Sequence, residues 1–393
     1  MAILPRPVDV AHSAPLAAPG LPSPFMAEAL RLAAQGQGRT APNPPVGAVV
    51  VREGRIVGRG YHRRAGEPHA EVLALTEAGE EARGATLYVT LEPCPHHGRT
   101  PPCTEAITAA GIARVVFAVI DPNPIVEGRG GARLEESGIA VEVGDGAEAA
   151  RELLRFYAHH VRTGRPYVLY KYAMSLDGRV AAEAGAPLHL TGAAADEEVH
   201  ALRDQLDAVM VGVGTVIADD PRLTTRHPRG RDALRVVVDS HLRTPAAARL
   251  LREGRSPVVV ACRAPAPPER ARRLREAGAE ILPIDADGSA GVALDGLLSA
   301  LGRRGVMSVL LEGGPTLAGA LARADAIDEV QAFVALRLVG GHDGPPALRG
   351  VGGVLEGGLE PREVRRVGDD LVAVLRRSEA KGGQACSPAS SRE

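Results

Sequence analysis

Tryptophan is absent from the 393 residues, and aromatic side chains make up only 3 % of them. Single-stranded nucleic acid is held largely by bases stacking on aromatic rings, so the composition argues against that partner. A charge excess is missing too: 46 Lys+Arg stand against 48 Asp+Glu, a formal net charge of −2. A nucleic-acid coat needs a basic surplus to neutralise phosphates, and a disordered acidic chain needs the opposite imbalance. Cysteine is scarce, with only Cys94, Cys103, Cys262 and Cys386. That is no disulfide framework for a chain this long, and it suits a reducing, cytoplasmic compartment. No apolar run approaches the ~18 residues that span a bilayer, so no membrane segment is expected. Met1 to Gly20 carries Pro5, Pro7, Pro15 and Pro19 and no continuous hydrophobic stretch. It reads as a disordered leader rather than a signal peptide.

What is present is an ordinary globular composition, 45 % hydrophobic and 24 % charged,. The length suits two or three domains. Helices are expected at 27–35, 69–78, 101–110, 131–137 and 148–161, and strands at 46–51, 56–61, 85–91, 115–120 and 139–143. Alternating strands and helices predict an α/β layered fold with a partly parallel sheet. Thr163-Gly164-Arg165-Pro166 breaks the last helix and marks a domain boundary,. A second α/β series follows, with strands at 168–172, 208–212, 235–239, 258–261, 280–283, 306–311 and 329–336. Its helices are expected at 194–205, 268–277, 294–303 and 316–322. The divisions are a leader over 1–23, domains over 24–164 and 165–376, and a loose tail over 377–393.

One group of residues points to metal chemistry. His69-Ala70-Glu71 follows Pro68, a residue suited to a helix's first turn,. Glu92-Pro93-Cys94 lies at a strand end, and Cys103 follows Pro101-Pro102 at a helix start. One imidazole and two thiolates leave the fourth tetrahedral position of zinc open for water. Helix N-termini favour the deprotonated thiols. Glu71 is placed to carry protons to and from a metal-activated water. His, Glu, Pro-Cys and Cys in this order are the signature of zinc deaminases, here with a longer gap between the cysteines. His96 and His97 remain alternative ligands. A structural zinc site is the bland alternative, but it would normally be closed by a fourth protein ligand.

Longer stretches then carry a resemblance. Asn43-Pro44, Val46-Gly47, Gly58 to His62, Pro68 to Glu71, Thr90 to Cys94 and His96 to Cys103 resemble the bifunctional riboflavin-biosynthesis deaminase–reductase family. Asp121-Pro122-Asn123-Pro124 and Gly128-Arg129-Gly130 continue it, and the likeness runs from about Phe25 to about Arg376. The resemblance implies a cytidine-deaminase-like three-layer domain followed by a dihydrofolate-reductase-like domain. It implies hydrolytic removal of an amino group from 2,5-diamino-6-(5-phosphoribosylamino)pyrimidin-4-one, then reduction of the ribosyl group to ribityl with NADPH. It assigns His69, Cys94 and Cys103 to zinc and Glu71 to proton transfer. Asn43, His62, Arg99, Asp121 and Asn123 are assigned to the phosphoribosyl pyrimidine. The planar fork of Arg99 suits a phosphate. A homo-oligomer formed through the reductase domain is also implied. Pro45, Pro95 and Glu127 depart from the family's usual residues.

In the second half, Val211 to Val216 imitates a dinucleotide fingerprint but has Ile217 where the third glycine belongs, so a Rossmann domain is not supported,. Leu311 to Thr316 is the better phosphate cradle, a buried strand turning through two glycines into a helix,. The resemblance assigns Thr215, Asp219, Ser240 and the turn Gly314, Pro315, Thr316, Leu317 to NADPH. It assigns Arg203, Leu223, Arg226 and Glu312 to the substrate. Lys171 is a further polar partner for the ribose. NADPH is expected over NADH, with Arg263 a candidate for the 2′-phosphate. His189 stands where the family often has Trp, Pro187 where it has Ser, and Asp196 where it has Arg. The runner-up reading is therefore an active deaminase fused to a degenerate reductase domain. A nucleic-acid deaminase is disfavoured by charge, aromatic content and the long Cys–Cys gap.

Overall fold

The computed structural model describes residues 21–97, 101–180, 189–227, 230–285, 288, 291–340, 345–351 and 358–377. The chain forms two compact units, Met1–Arg162 and Thr163–Glu393. Among the described residues no helix is long and apolar enough to cross a membrane.

The first unit runs α1 (Pro24–Ala34), β1 (Gly47–Arg52), β2 (Arg55–Tyr61), α2 (Ala70–Ala78), β3 (Thr86–Val89), α3 (Cys103–Ala109), β4 (Arg114–Phe117), α4 (Arg129–Glu136), β5 (Ala140–Val143) and α5 (Ala147–Thr163). The sheet order is β2-β1-β3-β4-β5. β1 is antiparallel to both neighbours, whereas β3, β4 and β5 are parallel. Val49 and Val51 of β1 pack with Met26, Ala29 and Leu32 of α1. Ala48 and Val50, which alternation turns to the other face, are also buried, so the strand is covered on both sides,. The strand–helix crossovers leave loops at the carboxyl ends of β3 and β4, the usual place for a ligand in such sheets.

Two glycines set the site's position. A Cβ on Gly60 would stand 2.2 Å from the Ala70 carbonyl oxygen, and one on Gly58 would stand 2.1 Å from that of Ala74. Only glycine lets α2 lie this close on β2, and this fixes the start of α2 against the sheet. α1 begins earlier than the apolar pattern indicated, because Ser23 Oγ accepts from Met26 N–H and Pro24 opens the helix,. Ser23 is in turn tied to Asp145 by its own N–H, 2.8 Å, and hydroxyl, 2.5 Å. It therefore belongs to the fold rather than to a leader; residues 1–20 of the expected leader lie outside the described residues.

The second unit runs β6 (Tyr167–Ser175), α6 (Ala193–Gln205), β7 (Ala208–Gly212), α7 (Val213–Asp219), β8 (Leu234–Val238), α8 (Arg249–Arg252), β9 (Val258–Arg263), α9 (Pro268–Glu276), β10 (Ala279–Ile284), α10 (Leu294–Arg303), β11 (Ser308–Glu312), α11 (Pro315–Arg323), β12 (Glu329–Ala335), β13 (Leu359–Val367) and β14 (Asp370–Arg377). Its sheet order is β10-β9-β8-β7-β11-β6-β12-β14-β13. Every pair from β10 to β12 is parallel, and β14 and β13 close that edge antiparallel. Val168, Met210, Val236, Val309 and Leu311 build the core with Leu297 and Leu301 of α10 and Leu321 of α11.

The hairpin of β13 and β14 is absent from the sequence expectations. β13 is an edge strand holding Glu360, Pro361, Arg362, Glu363, Arg365 and Arg366, with only Val367 buried. Such a strand shows no apolar alternation, and its charges guard an edge. β14 extends to Arg377, so the ordered sheet includes a residue assigned to the tail. The short helix α7 is likewise absent from the sequence expectations, which end the strand at 212 and name no helix before 268 after the one at 194–205.

Candidate active sites

In the first unit His69 is the residue before α2, and Cys103 is the first residue of α3. Cys94 sits in the loop that leaves β3. Their ligand atoms all lie within 4.8 Å of one another, the one such group of three among the described residues. His69 Nδ1 is 3.1 Å from Cys103 Sγ and 3.6 Å from Cys94 Sγ. The backbone N–H of Cys103 points at Cys94 Sγ, 3.4 Å away. The hydrogen bond from the Cys103 thiol, helped by His69 against burial, holds the Cys94 thiol well below its ordinary value. The same bond and burial push the Cys103 thiol up. A nitrogen and two soft sulfurs converging on one point are a donor set that fits zinc. His96 and His97 are not part of this group.

A cavity of about 410 Å³ opens beside the trio, lined among others by Asn43, His62, Glu71, His96, Asp121, Asn123, Tyr157 and His160. Glu71 is 4 % exposed, and burial pushes its carboxyl up. A carboxyl so tuned changes protonation nearer neutrality than a free one, as proton transfer requires. Burial holds His62 down, against the opposing bond to Pro68. Its Nδ1 lies 3.2 Å from the Pro68 carbonyl oxygen and its Nε2 3.0 Å from Asn43 Nδ2. The carbonyl can only accept, so Nδ1 carries the proton and Nε2 receives the Asn43 amide. Asp121 is 5 % exposed and is pushed up to about 6 by burial, against hydrogen bonds from the Asn123 N–H and the Tyr157 phenol.

Glu92 ties this cavity together. It is 3 % exposed and accepts four backbone N–H groups. Oε1 takes Gly130 at 2.8 Å and Gly131 at 3.0 Å, and Oε2 takes Gly128 at 2.9 Å and Asp121 at 3.1 Å. A Cβ on Gly130 would stand 2.0 Å from the Pro93 carbonyl oxygen, so only glycine lets α4 approach this closely. The carboxylate thus joins the Cys94 loop, the Asp121 loop and the start of α4.

In the second unit Glu312, at the end of β11, forms a two-pronged pair with Arg203 of α6. Arg203 Nε lies 2.5 Å from Oε1 and Nη2 2.6 Å from Oε2. Burial alone would raise Glu312, but the charge and hydrogen bonds of Arg203 outweigh it and hold the carboxyl down. Arg203 Nη1 also donates to the Thr224 carbonyl, 3.0 Å. Lys171 of β6 is the register partner of Glu312, and burial holds its amine down. Arg203, Leu223 and Arg226 line a cavity of about 160 Å³ together with Pro221, Arg222, Thr224 and Arg249.

The strands β8, β7 and β11 are neighbours, so the residues following them share one edge of the sheet. Ser240 follows β8, Thr215 and Asp219 lie in α7 after β7, and Gly313-Gly314 leads into α11. Both glycines have positive φ, 86° and 80°. A Cβ on Gly314 would stand 3.4 Å from Thr215 Oγ1 and 3.7 Å from Gly212 N. Pro315, Thr316 and Leu317 form the first turn of α11, whose free N–H groups suit an anion,. This glycine-lined cradle fits the phosphates of a nicotinamide cofactor.

Two family models match these units. One, described as the cytidine and deoxycytidylate deaminase zinc-binding region, covers residues 22–119; the other, the RibD C-terminal domain, covers 166–373. The riboflavin biosynthesis protein RibD of Aquifex aeolicus is 41 % identical over 90 % of this chain and 98 % of its own. The chain belongs to the RibD family. RibD of Escherichia coli is also 41 % identical, over 88 % of this chain and 97 % of its own. RibD of Acinetobacter baumannii superposes with a TM-score of 0.80 at 36 % identity, covering 90 % of this chain and 98 % of that one. A diaminohydroxyphosphoribosylaminopyrimidine deaminase/5-amino-6-(5-phosphoribosylamino)uracil reductase from Thermotoga maritima gives 0.79 at 35 % identity, with the same coverage. A RibD chain is therefore a deaminase-like unit followed by a reductase-like unit, and both are present here.

The remaining expected positions fall as follows. Arg99 lies outside the described residues, and so does Pro187. His189 Nε2 is 3.3 Å from Asp196 Oδ2, so two of the family departures meet in an exposed pair. Arg263 donates its N–H to the Ser240 carbonyl, 3.3 Å, at the edge shared by the cradle. Sequence reasoning missed Glu92 and Tyr157 as parts of the first site. Glu92 stood inside a quoted motif, but its four N–H partners come from the distant Asp121 loop and the start of α4. Tyr157 had no motif at all.

Proposed function

We propose that the chain is a two-site enzyme of riboflavin biosynthesis. One site hydrolytically deaminates 2,5-diamino-6-(5-phosphoribosylamino)pyrimidin-4-one, and the other reduces the ribosyl group of the product to ribityl with NADPH. The observation that carries this reading is the His69, Cys94 and Cys103 trio, within 4.8 Å, opening onto a cavity that contains the buried Glu71. Those three residues would hold zinc, which when bound would lower the pKa of a water and supply hydroxide near neutral pH. Glu71 would take a proton from that water as its oxygen bonds to the ring carbon, and pass it to the exocyclic nitrogen; the C–N bond then breaks, ammonia leaves and the second water proton stays on the ring. Asn43, His62, Asp121 and Asn123 hold the pyrimidine and ribose in this reading, with Arg99 on the phosphate.

In the second domain NADPH supplies hydride to the ribose carbon. The Gly314 to Leu317 turn, Thr215, Asp219 and Ser240 hold the cofactor. Arg203 and Arg226 hold the substrate phosphate, with Leu223, Glu312 and Lys171 around the sugar. The two domains divide near residue 164; the first takes in Ser23 and the second runs to Arg377. The protein works in the cytoplasm, where free thiols at Cys94 and Cys103 persist,. It assembles as a homo-oligomer through the reductase domain. The exposed Leu176, Leu336 and Leu338 support that surface, since Leu176 N–H bonds the Arg337 carbonyl and brings the three together,.

Incubating the purified protein with the diaminopyrimidine, with and without NADPH, tests both steps. Ammonia release should not need NADPH, whereas loss of reduced-nicotinamide absorbance should need the deaminated product. Ammonia release without any NADPH oxidation would leave a deaminase alone.

A further inference from the structure

We propose that Tyr157 is a positioning residue of the deaminase site: its phenol bridges both oxygens of Asp121 and aims the remaining acceptor site on Oδ2 at an N–H or O–H donor of the substrate. The inference rests on the deaminase reading above. Tyr157 lies on α5, 36 residues from Asp121, and both side chains are buried. The hydroxyl is 3.1 Å from Oδ1 and 3.3 Å from Oδ2, so one proton is shared between the two oxygens. That sharing restrains rotation of the carboxylate. The Asn123 N–H adds a 2.8 Å bond to Oδ1, and the N–H of Asp121 itself is anchored on Glu92, 3.1 Å away. Main chain and side chain are both set before a ligand arrives, which is what orientation-dependent binding needs.

Asp121 has no cationic partner among the described residues. Glu92 and Cys94 act on it with like charge, and Asn123 and Tyr157 donate to it. His62, His69, Glu71 and His160 line the same cavity. A carboxylate has about four acceptor sites. Three are engaged by the phenol and the Asn123 amide, which leaves Oδ2 with capacity for a ligand donor. The substrate offers amines and ribose hydroxyls. Burial pushes the carboxyl up to about 6, and Tyr157 opposes that rise. Burial and the Asp121 charge push the phenol upward, so it stays a donor at neutral pH. Without the phenolic proton the Asp121 carboxyl titrates higher still, and the ionised acceptor forms only at higher pH.

The test is Tyr157→Phe in the full-length, zinc-loaded protein, with deamination followed by ammonia release across pH. The expected result is KM raised about tenfold, kcat lowered by less, and the acid limb of kcat/KM moved about one pH unit upward. Zinc content should not change. Asp121→Asn should raise KM as well, and Tyr157→Phe added to it should cost little more, because the phenol acts through that carboxylate. A Tyr157→Phe enzyme with the wild-type KM and acid limb overturns the proposal, as does full additivity in the double variant. Should Tyr157→Phe not fold, Tyr157→Met decides in its place: a raised KM with zinc retained supports the proposal, and a wild-type KM overturns it. A wild-type protein that releases no ammonia overturns the deaminase reading and this inference with it.

Discussion

The two units build their sites from different materials. In the first, the reactive groups are side chains: an imidazole, two thiols and a buried carboxyl, brought together by the starts of α2 and α3 and the loop after β3. In the second, the cofactor cradle is main chain, a pair of left-handed glycines before α11, and the one strong side-chain feature is the Arg203–Glu312 pair. Side-chain chemistry leaves a trace of residue type in the sequence. A main-chain cradle leaves only glycines, and these serve many purposes. This is why Cys94 and Cys103 spoke for themselves, while Gly314 needed the family resemblance and then the fold.

Single substitutions should separate the two sites, and the largest effect belongs to the metal ligands. Cys94→Ser or Cys103→Ser should lose zinc and drop deamination to background, while reduction of supplied deaminated substrate continues; metal analysis beside both assays checks this. Glu71→Gln comes next, retaining zinc but losing roughly a hundred- to ten-thousand-fold in deamination. Zinc loss in that variant would make Glu71 a ligand and break the assignment. Arg203→Ala acts on the other unit. It leaves Glu312 buried without its partner, and denaturant unfolding of that unit should show a loss of about 3–5 kcal/mol. Reduction should fail and deamination persist. The smallest effect is expected at Gly314→Ala. The added methyl enters the cradle near Thr215 and forces an L-residue to φ near 80°, so NADPH affinity should fall by about tenfold, roughly 1–2 kcal/mol. Cofactor titration reads it, and an unchanged affinity would move the phosphates away from this turn.

Much of the fold was legible because buried parallel strands are continuous apolar runs. β7, β9 and β11 each stood out as such, between helices of the right length. The β13–β14 hairpin did not, because an edge strand facing solvent with Arg and Glu carries no apolar period. The metal trio was legible as residue types in order, each placed at a strand end or a helix start. Glu92 was visible only as a letter in a motif. Its work is to accept N–H groups of Asp121, Gly128, Gly130 and Gly131, and nothing local encodes that.

The sequence by itself determined the chemistry available: which side chains can bind zinc, which carboxyl can carry a proton, and which glycine-rich turn can receive phosphate. It also determined the α/β class, through apolar runs alternating with amphipathic helices. Tertiary structure alone decided three other things. It set the protonation tendencies of Glu71, Asp121 and Lys171, because burial, not residue type, displaces them. It chose His69 rather than His96 or His97 to meet the two thiols. It joined Tyr157 to Asp121 across 36 positions. The physical reason is the same in each case: desolvation and hydrogen bonding depend on neighbours in space, and chain order does not name those neighbours.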